Sequence, residues 1–296
     1  MTVDGLVVVD KPAGCTSHDV VARLRRVYGQ RRVGHAGTLD PDATGVLLVG
    51  LGRATRLLRF LQETTKSYRA TVVFGVATDT LDAAGAVLDR VTMKVTRAQV
   101  EAAARSFVGI SEQVPPMVSA IKIDGRRLHE LARRGIEVER PPRRVHIDRF
   151  SVESFTDGPY PEVDVVVDCS SGTYIRSLAA DLGVALGGCA HLRDLRRLRV
   201  GSFDLADARP LEAIESEPAT AVLTPAAAMR AVPAIVVAGE EARGVRHGAV
   251  FAPGALPGAC DIEGPFAIVA DDGELLAVYE RKGAALRASV VMAGDA

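Results

Sequence analysis

The sequence is poor in aromatic residues. It has no tryptophan, and phenylalanine and tyrosine together make up only 4% of its 296 residues. Proteins that hold single-stranded nucleic acid along a groove stack successive bases on aromatic side chains. The composition therefore disfavours a stacking platform of that kind.

Cysteine is scarce too. The four cysteines, Cys15, Cys169, Cys189 and Cys260, are far apart and form no CxxC motif, and the six histidines are scattered. This spacing predicts neither a disulfide framework nor a metal site. No apolar run approaches the roughly 20 residues of a membrane span, and the opening MTVDGLVVVDKPAG has no basic leader. We therefore expect a cytoplasmic protein without a membrane partner.

Charge is nearly balanced in total but unevenly placed. The net charge is −1, yet residues 1–210 hold 30 Lys and Arg against 25 Asp and Glu, whereas residues 211–296 hold 6 against 12. A basic body with an acidic C-terminal region predicts an anionic partner for the body, with an ordinary solvated surface as the alternative.

Short apolar runs alternate with helix signals. Residues 6–9 predict a buried strand, and Ser17 is expected to cap a helix with Val20, Val21, Leu24, Val27 and Tyr28 on one face. Further helix starts are predicted at two places, namely Thr96 with Gln99, and Thr173. The elements do not follow a strict βαβ order. This predicts an α+β fold with a mixed, mainly antiparallel sheet and flanking helices.

Composition also suggests domain boundaries. Pro-Pro pairs bracket an arginine-rich stretch at about residues 113–145, which we expect to be an insertion that projects from the core. Around residues 211–230 the chain becomes acidic and rich in Ala and Pro. We therefore predict a main domain at 1–225 and a small β-rich C-terminal module at 226–296.

The loop GHAGTLDPDATGVLLVG, residues 34–50, carries two carboxylates between glycines. Asp40, Asp42 and Thr44 match the Asp-x-Asp-x-Thr pattern of metal-assisted phosphoryl transfer. That motif should follow a buried strand, whereas here the apolar strand comes after it. The alternative is a single metal-free carboxylate nucleophile, which needs a cation such as arginine to stay ionised when it is shielded from water.

Four segments occur together in one order: DKPAGCTSHDVV, VGHAGTLDPDATGVLLVGLGRATR, KSYRATVVFG and SSGTYIRSLAADLG. This combination, from about residue 4 to 210, resembles the bacterial tRNA pseudouridine synthase B family. The resemblance implies isomerisation of uridine 55 in the T-loop of tRNA, without metal or cofactor. It also implies that the C-terminal module is PUA-like, although its acidity makes strong RNA binding by this module doubtful.

The resemblance assigns catalysis to Asp40 and implies that Arg176 pairs with it. The pocket for the target base would be formed by Tyr68, Tyr174, Arg176 and Leu195. The resemblance suggests two RNA-binding residues, His35 and Lys11. The basic insertion adds Arg126, Arg127, Arg143 and Arg144. His35 would fill the gap left by the flipped base, and Lys11 would have a structural role near the pocket.

Asp42 departs from the family pattern, in which this position is often uncharged. A second buried carboxylate would raise the pKa of Asp40, so we predict that Asp42 faces solvent. The insertion is expected to be mobile and to close over a T-stem-loop bound by a monomer. A non-catalytic tRNA-binding or tRNA-folding protein is the competing function. Three chemical routes are consistent with one carboxylate: attack at C6 of the base, attack at C1′ of the ribose, or a glycal route.

Overall fold

The computed structural model describes residues 2–119, 122–123, 126–127, 136, 138–259 and 262–292. The predicted mobility of the insertion concerns residues that lie largely outside this description. Packing divides the chain into two compact units. The first comprises Met1–Pro41, Gly45–Gln62 and Val200–Ala296, and the second comprises Asp42–Thr44 and Glu63–Arg199.

Helices and strands alternate irregularly along the chain. The helices are α1 Ser17–Val27, α2 Leu58–Gln62, α3 Arg97–Ser106, α4 Ile175–Ala185, α5 Leu211–Ser216, α6 Pro225–Ala228 and α7 Gly239–Arg246, with 3-10 turns at Gly52–Leu57, Pro218–Ala221 and Pro253–Ala255. The strands are β1 Gly5–Lys11, β2 Val33–Ala36, β3 Thr44–Leu51, β4 Lys66–Phe74, β5 Val76–Thr78, β6 Val87–Arg90, β7 Gly109–Gln113, β8 Lys122–Ile123, β9 Arg126–Arg127, β10 Arg143–Thr156, β11 Glu162–Cys169, β12 Ala190–Val200, β13 Phe203–Asp204, β14 Arg209–Pro210, β15 Val222–Leu223, β16 Ala234–Val237, β17 Phe266–Ala270, β18 Leu275–Lys282 and β19 Ala285–Val291.

The first unit is built on the antiparallel pair β1 and β3, to which β2 and β15 add antiparallel and β14 adds parallel. Helix α1 buries Val20, Val21 and Leu24 against β1 and β3, as predicted, whereas Val27 and Tyr28 of the predicted face are only half-buried. Its start differs from the prediction. Thr16 is the N-cap and forms a capping box with Asp19, whereas Ser17 is buried.

The C-terminal part of the first unit is a four-stranded sheet in the order β16-β17-β18-β19. Its core packs around Phe266, Tyr279 and Leu286. A second apolar cluster joins Val278 of this sheet to Leu57 of the first 3-10 turn. The prediction of a small β-rich C-terminal module is confirmed. Packing groups this sheet in one compact unit with the N-terminal strands.

The second unit contains a sheet with the strand order β12-β4-β11-β10-β7. In this order, β4 pairs with β11, β11 with β10 and β10 with β7, and all three pairs are antiparallel. Helix α3 contacts β10, with the rings of Phe107 and Phe150 6.3 Å apart, and α4 contacts both α3 and β4. Thr96 and Gln99 form the predicted capping box of α3. The prediction of an α+β fold with a mainly antiparallel sheet is confirmed.

Candidate active site

The Asp40 loop joins β2 to β3. Its part up to Pro41 belongs to the first unit, and its backbone is held just before the aspartate. The Ser17 hydroxyl accepts a hydrogen bond from the Leu39 N–H at 2.8 Å and lies 3.2 Å from the Leu39 carbonyl oxygen, to which it donates. Ser17 is buried. It therefore fixes the main chain of the residue that precedes Asp40.

The residue after Asp40 is held by a lysine. Lys11 is fully buried, and its Nζ donates to the carbonyl oxygens of Pro12 and Pro41, both at 2.8 Å. These two hydrogen bonds hold the loop, and the roles that the resemblance implies for Lys11 stay predictions. A contact from Lys11 to an RNA phosphate would require the side chain to leave these carbonyls.

Glycines bracket the loop at positions where other residues are strained. Gly37 has φ +86° and Gly45 has φ +101°, both in the region that favours glycine. Asp40 is half-buried and Asp42 is exposed. The prediction that Asp42 faces solvent is confirmed, so burial distinguishes the two carboxylates of the loop.

The proposed pocket residues of the second unit lie on three of its elements. Tyr68 is buried on β4, and Leu195 is half-buried on β12, the neighbouring strand in the sheet. Tyr174 is the N-cap residue of α4 and Arg176 lies in its first turn. The predicted N-cap, Thr173, instead donates from Oγ1 to the Ser170 carbonyl at 3.0 Å.

Arg176 is only 4% exposed and its guanidinium is held on several sides. Nη1 donates to the Thr80 carbonyl at 3.1 Å and lies 3.4 Å from Oδ2 of Asp82, while Nη2 donates to the Val118 carbonyl at 2.8 Å. These contacts fix the plane of the guanidinium. Asp82 is a residue of this arrangement that the sequence analysis missed.

A tight turn between β5 and β6 presents Asp82 to Arg176. Thr80 Oγ1 donates to Asp82 Oδ1 at 2.6 Å, and Thr78 Oγ1 donates to the Asp82 carbonyl at 2.7 Å. Leu81 has φ +64°, a strained conformation for a residue with a branched side chain. The threonine and aspartate pattern TDTLD was a local signal of such a turn.

A buried cationic pair lies beside the pocket strands. Lys66 is 6% exposed and Arg197 is 1% exposed. Lys66 is two residues from Tyr68 on β4, and Arg197 is two residues from Leu195 on β12, so each shares a strand face with a proposed pocket residue. Burial and the charge of Arg197 lower the pKa of Lys66 to about 8.

The predicted RNA-binding residues are spread over both units. His35 is half-buried on β2, while Arg143 and Arg144 are exposed at the start of β10. Arg126 and Arg127 form β9, which pairs with β8, but their side chains lie outside the described part of the chain.

Within the described ranges, no group of three or more His, Cys, Asp or Glu residues is arranged to hold a metal ion. Among the helices of these same ranges, none has the length and apolar character needed to cross a membrane.

The chain is similar to known proteins over almost its whole length. Residues 25–175 match the family model "TruB family pseudouridylate synthase (N terminal domain)", and residues 176–231 match "tRNA pseudouridylate synthase B C-terminal domain". The tRNA pseudouridine synthase B of Mycobacterium sp. (strain KMS) is 50% identical over 279 residues, which cover 93% of this chain and 92% of the relative. That of Thermobifida fusca (strain YX) is 47% identical over 298 residues, covering 99% of both chains.

Solved structures share the fold. A chain in the crystal structure of a Cbf5-Nop10-Gar1 complex superposes with a TM-score of 0.75 at 26% identity, covering 97% of this chain and 84% of that one. A chain of an H/ACA RNP bound to a substrate RNA containing 2'-deoxyuridine has a TM-score of 0.75 at 24% identity, covering 98% and 85%.

Proposed function

The chain belongs to the TruB family of pseudouridylate synthases and is a tRNA pseudouridine synthase, and we propose that Asp40 is the carboxylate with which it isomerises uridine 55 of the T-loop. The observation that carries the proposed reaction is the 50% identity to a tRNA pseudouridine synthase B across 93% of the chain. The choice of Asp40 rests on the family resemblance of its loop and is supported by the glycines and buried bonds that hold this loop.

The reaction needs few participants. The N1–C1′ bond breaks and a C5–C1′ bond forms, while C5 loses a proton and N1 gains one. The product is an isomer of the substrate, so no electrons are gained or lost overall. One carboxylate suffices to assist by attack at C6, by attack at C1′ or through a glycal route.

The pocket side chains have distinct proposed roles. Arg176 is permanently charged and keeps the catalytic carboxylate ionised when substrate excludes water. Tyr68 and Leu195 supply flat and apolar walls within which the detached uracil turns without leaving. Tyr174 completes the wall at the start of α4.

RNA is the substrate, and we propose that the form recognised is the T-stem-loop of tRNA bound by a monomer in the cytoplasm. Flipping the target base out of a folded loop costs a few kcal/mol, and contacts between basic side chains and phosphates offset that cost. Arg143 and Arg144 are exposed and suited to such contacts. We further propose a catalytic domain at 1–225, with the RNA-binding insertion at about 113–145, and a PUA-like module at 226–296.

The test uses a T-stem-loop RNA tritiated at C5 of the target uridine, with EDTA present. Isomerisation must release this tritium. We expect release by the wild-type protein, none by Asp40→Ala, and nearly wild-type release by Asp42→Ala, because Asp42 is exposed.

Release that persists in Asp40→Ala would contradict the assignment of the nucleophile. Activity that EDTA abolishes would revive the metal-dependent reading of the loop. If even the wild-type protein bound the RNA without releasing tritium, the non-catalytic function would replace the proposed one.

A further inference from the structure

The start of α4 is held by a glutamine from a distant strand. Gln113, the last residue of β7, is 5% exposed. Its Oε1 accepts a hydrogen bond from the Tyr174 N–H at 2.7 Å, and its Nε2 donates to the Tyr174 carbonyl at 3.1 Å. One side chain thus binds both main-chain polar groups of the N-cap residue.

This arrangement replaces one half of a capping box, the bond to the N–H of the N-cap residue. The first N–H groups of a helix have no partners within it, and a short polar side chain at the N-cap usually provides one. The side chain of Tyr174 makes no such bond. In a capping box, the third helical residue returns to the N-cap N–H. Here that residue is Ser177, whose Oγ instead donates to the Val114 carbonyl at 3.0 Å.

The same segment also holds Arg176. Its Nη2 donates to the Val118 carbonyl, five residues after Gln113. Residues 113, 114 and 118 therefore bind positions 174, 177 and 176 of the α4 start, in that order. Gln113 is also the first residue of the predicted RNA-binding insertion, so the base of that insertion and the proposed pocket residues are joined by these bonds.

We propose that Gln113 is a positioning residue for the isomerisation, acting through the main chain of Tyr174 to set the side chains of Tyr174 and Arg176 against the target base. The proposal rests on the proposed function and deepens it. Gln113 does not touch the base itself. Loss of its amide would leave the helix start less restrained while the arginine contacts to RNA stay intact.

The principal variant is Gln113→Leu, matched with Gln99→Leu. Gln99 makes a comparable bond, since its Oε1 accepts the N–H of the α3 N-cap residue Thr96 at 2.8 Å, but α3 carries no proposed pocket residue. Three quantities are measured: the single-turnover rate of isomerisation, the Kd for the T-stem-loop RNA, and the exchange rate of the Tyr174 amide hydrogen.

We expect Gln113→Leu to lower the single-turnover rate roughly 10- to 100-fold, because misplacement of a reactive group by about 1 Å has effects of that size. The Kd should change less than about threefold, because phosphate contacts dominate RNA affinity. Exchange of the Tyr174 amide should accelerate, while that of Val100 in α3 stays unchanged. Gln99→Leu should leave the rate, the Kd and the Tyr174 exchange at wild-type values.

A second variant, Gln113→Glu, preserves size in case the leucine variant does not fold. Its protonated carboxyl can donate and accept as the amide does, whereas its ionised form can only accept. Its rate relative to wild type should therefore rise as pH falls. Burial favours the protonated form, while the helix start and exposed Arg143, opposite Gln113 on β10, oppose it.

A wild-type rate in folded Gln113→Leu, or equal losses in rate and affinity, would overturn the proposal. A rate of Gln113→Glu that follows the wild-type pH profile would do the same. Failure of the proposed function would be seen separately, as absence of tritium release by the wild-type protein. In that case unchanged Tyr174 exchange in Gln113→Leu would still refute the positioning role, and accelerated exchange would still support it.

Discussion

The buried charge of Lys66 should lower the stability of the folded protein, and a single substitution should remove this effect. Its ammonium is buried beside the Arg197 guanidinium, and its Nζ donates to the Thr64 carbonyl at 2.8 Å. Replacing Lys66 by methionine keeps the length of the side chain and removes the charge. We predict that Lys66→Met makes the RNA-free protein more stable at pH 7.

The magnitude follows from the pKa of Lys66. Burial and the charge of Arg197 lower it from 10.5 to about 8. At about 1.4 kcal/mol per pKa unit, the charged form costs roughly 3 kcal/mol in the folded state. The nearby Cys169 thiol offers no compensating charge, since burial raises its pKa to about 11. Loss of the hydrogen bond to Thr64 costs about 1 kcal/mol, so the free energy of unfolding should rise by about 2 kcal/mol in total.

The gain should depend on pH with a definite sign. Below about pH 8 lysine is protonated in both states, so the wild-type protein bears the full cost. Between pH 8 and 10.5 the unfolded state binds the proton and the folded state does not, so wild-type stability rises with pH relative to the variant. The advantage of Lys66→Met should therefore disappear near pH 10.5.

Thermal unfolding followed by circular dichroism, at pH 7 and at pH 10, measures both effects. A gain of about 2 kcal/mol should raise the Tm by roughly 3 °C in a chain of this size. Lys94→Met is the control, because Lys94 is exposed and its replacement should change stability by less than about 0.5 kcal/mol. A variant less stable than wild type at pH 7, or a gain undiminished at pH 10, would refute the reasoning.

Two further predictions concern the groups that hold the site. Ser17→Ala removes two buried bonds to Leu39 and should cost about 1–3 kcal/mol and slow isomerisation, whereas Thr16→Ala one residue earlier should cost about 1 kcal/mol of stability and leave the rate unchanged. Asp82→Asn keeps the shape of the turn but removes the charge facing Arg176, so tritium release should slow about 10-fold with RNA affinity retained. A rate of tritium release unaffected by Ser17→Ala or by Asp82→Asn would show that these contacts do not restrain the catalytic groups.

The interior of α1 could be predicted from the sequence, but the exact residue at which the helix begins could not. Apolar periodicity predicted the buried face of Val20, Val21 and Leu24, which is confirmed. Both Thr16 and Ser17 are residue types that cap helices. The choice between them depends on Leu39, 22 residues beyond Ser17, because the Ser17 hydroxyl is used there. A local pattern contains no information about that bond.

The same reason explains the misplaced start of α4. Thr173 has the composition of an N-cap, yet its hydroxyl binds Ser170, and Gln113 binds the true N-cap residue from 61 positions earlier. The motif GTYIR predicted Tyr174 and Arg176 as pocket residues, because it is one of the segments that carry the family resemblance. The glutamine lies in an ordinary strand sequence, and no spacing rule connects it to the helix.

The structure buries several polar side chains whose burial their polarity does not predict. A polar group loses its water when it is buried, and it persists in a core only when specific bonds replace that water. Lys11, Ser17, Gln113 and Arg176 are all buried, and each binds main-chain carbonyl or amide groups of the Asp40 loop, the α4 start or the Asp82 turn. Polarity alone, without the family motifs, would assign each of them to the surface. Because burial without water is costly, these four residues mark segments whose geometry is held strictly, and those segments carry the proposed catalytic and pocket residues.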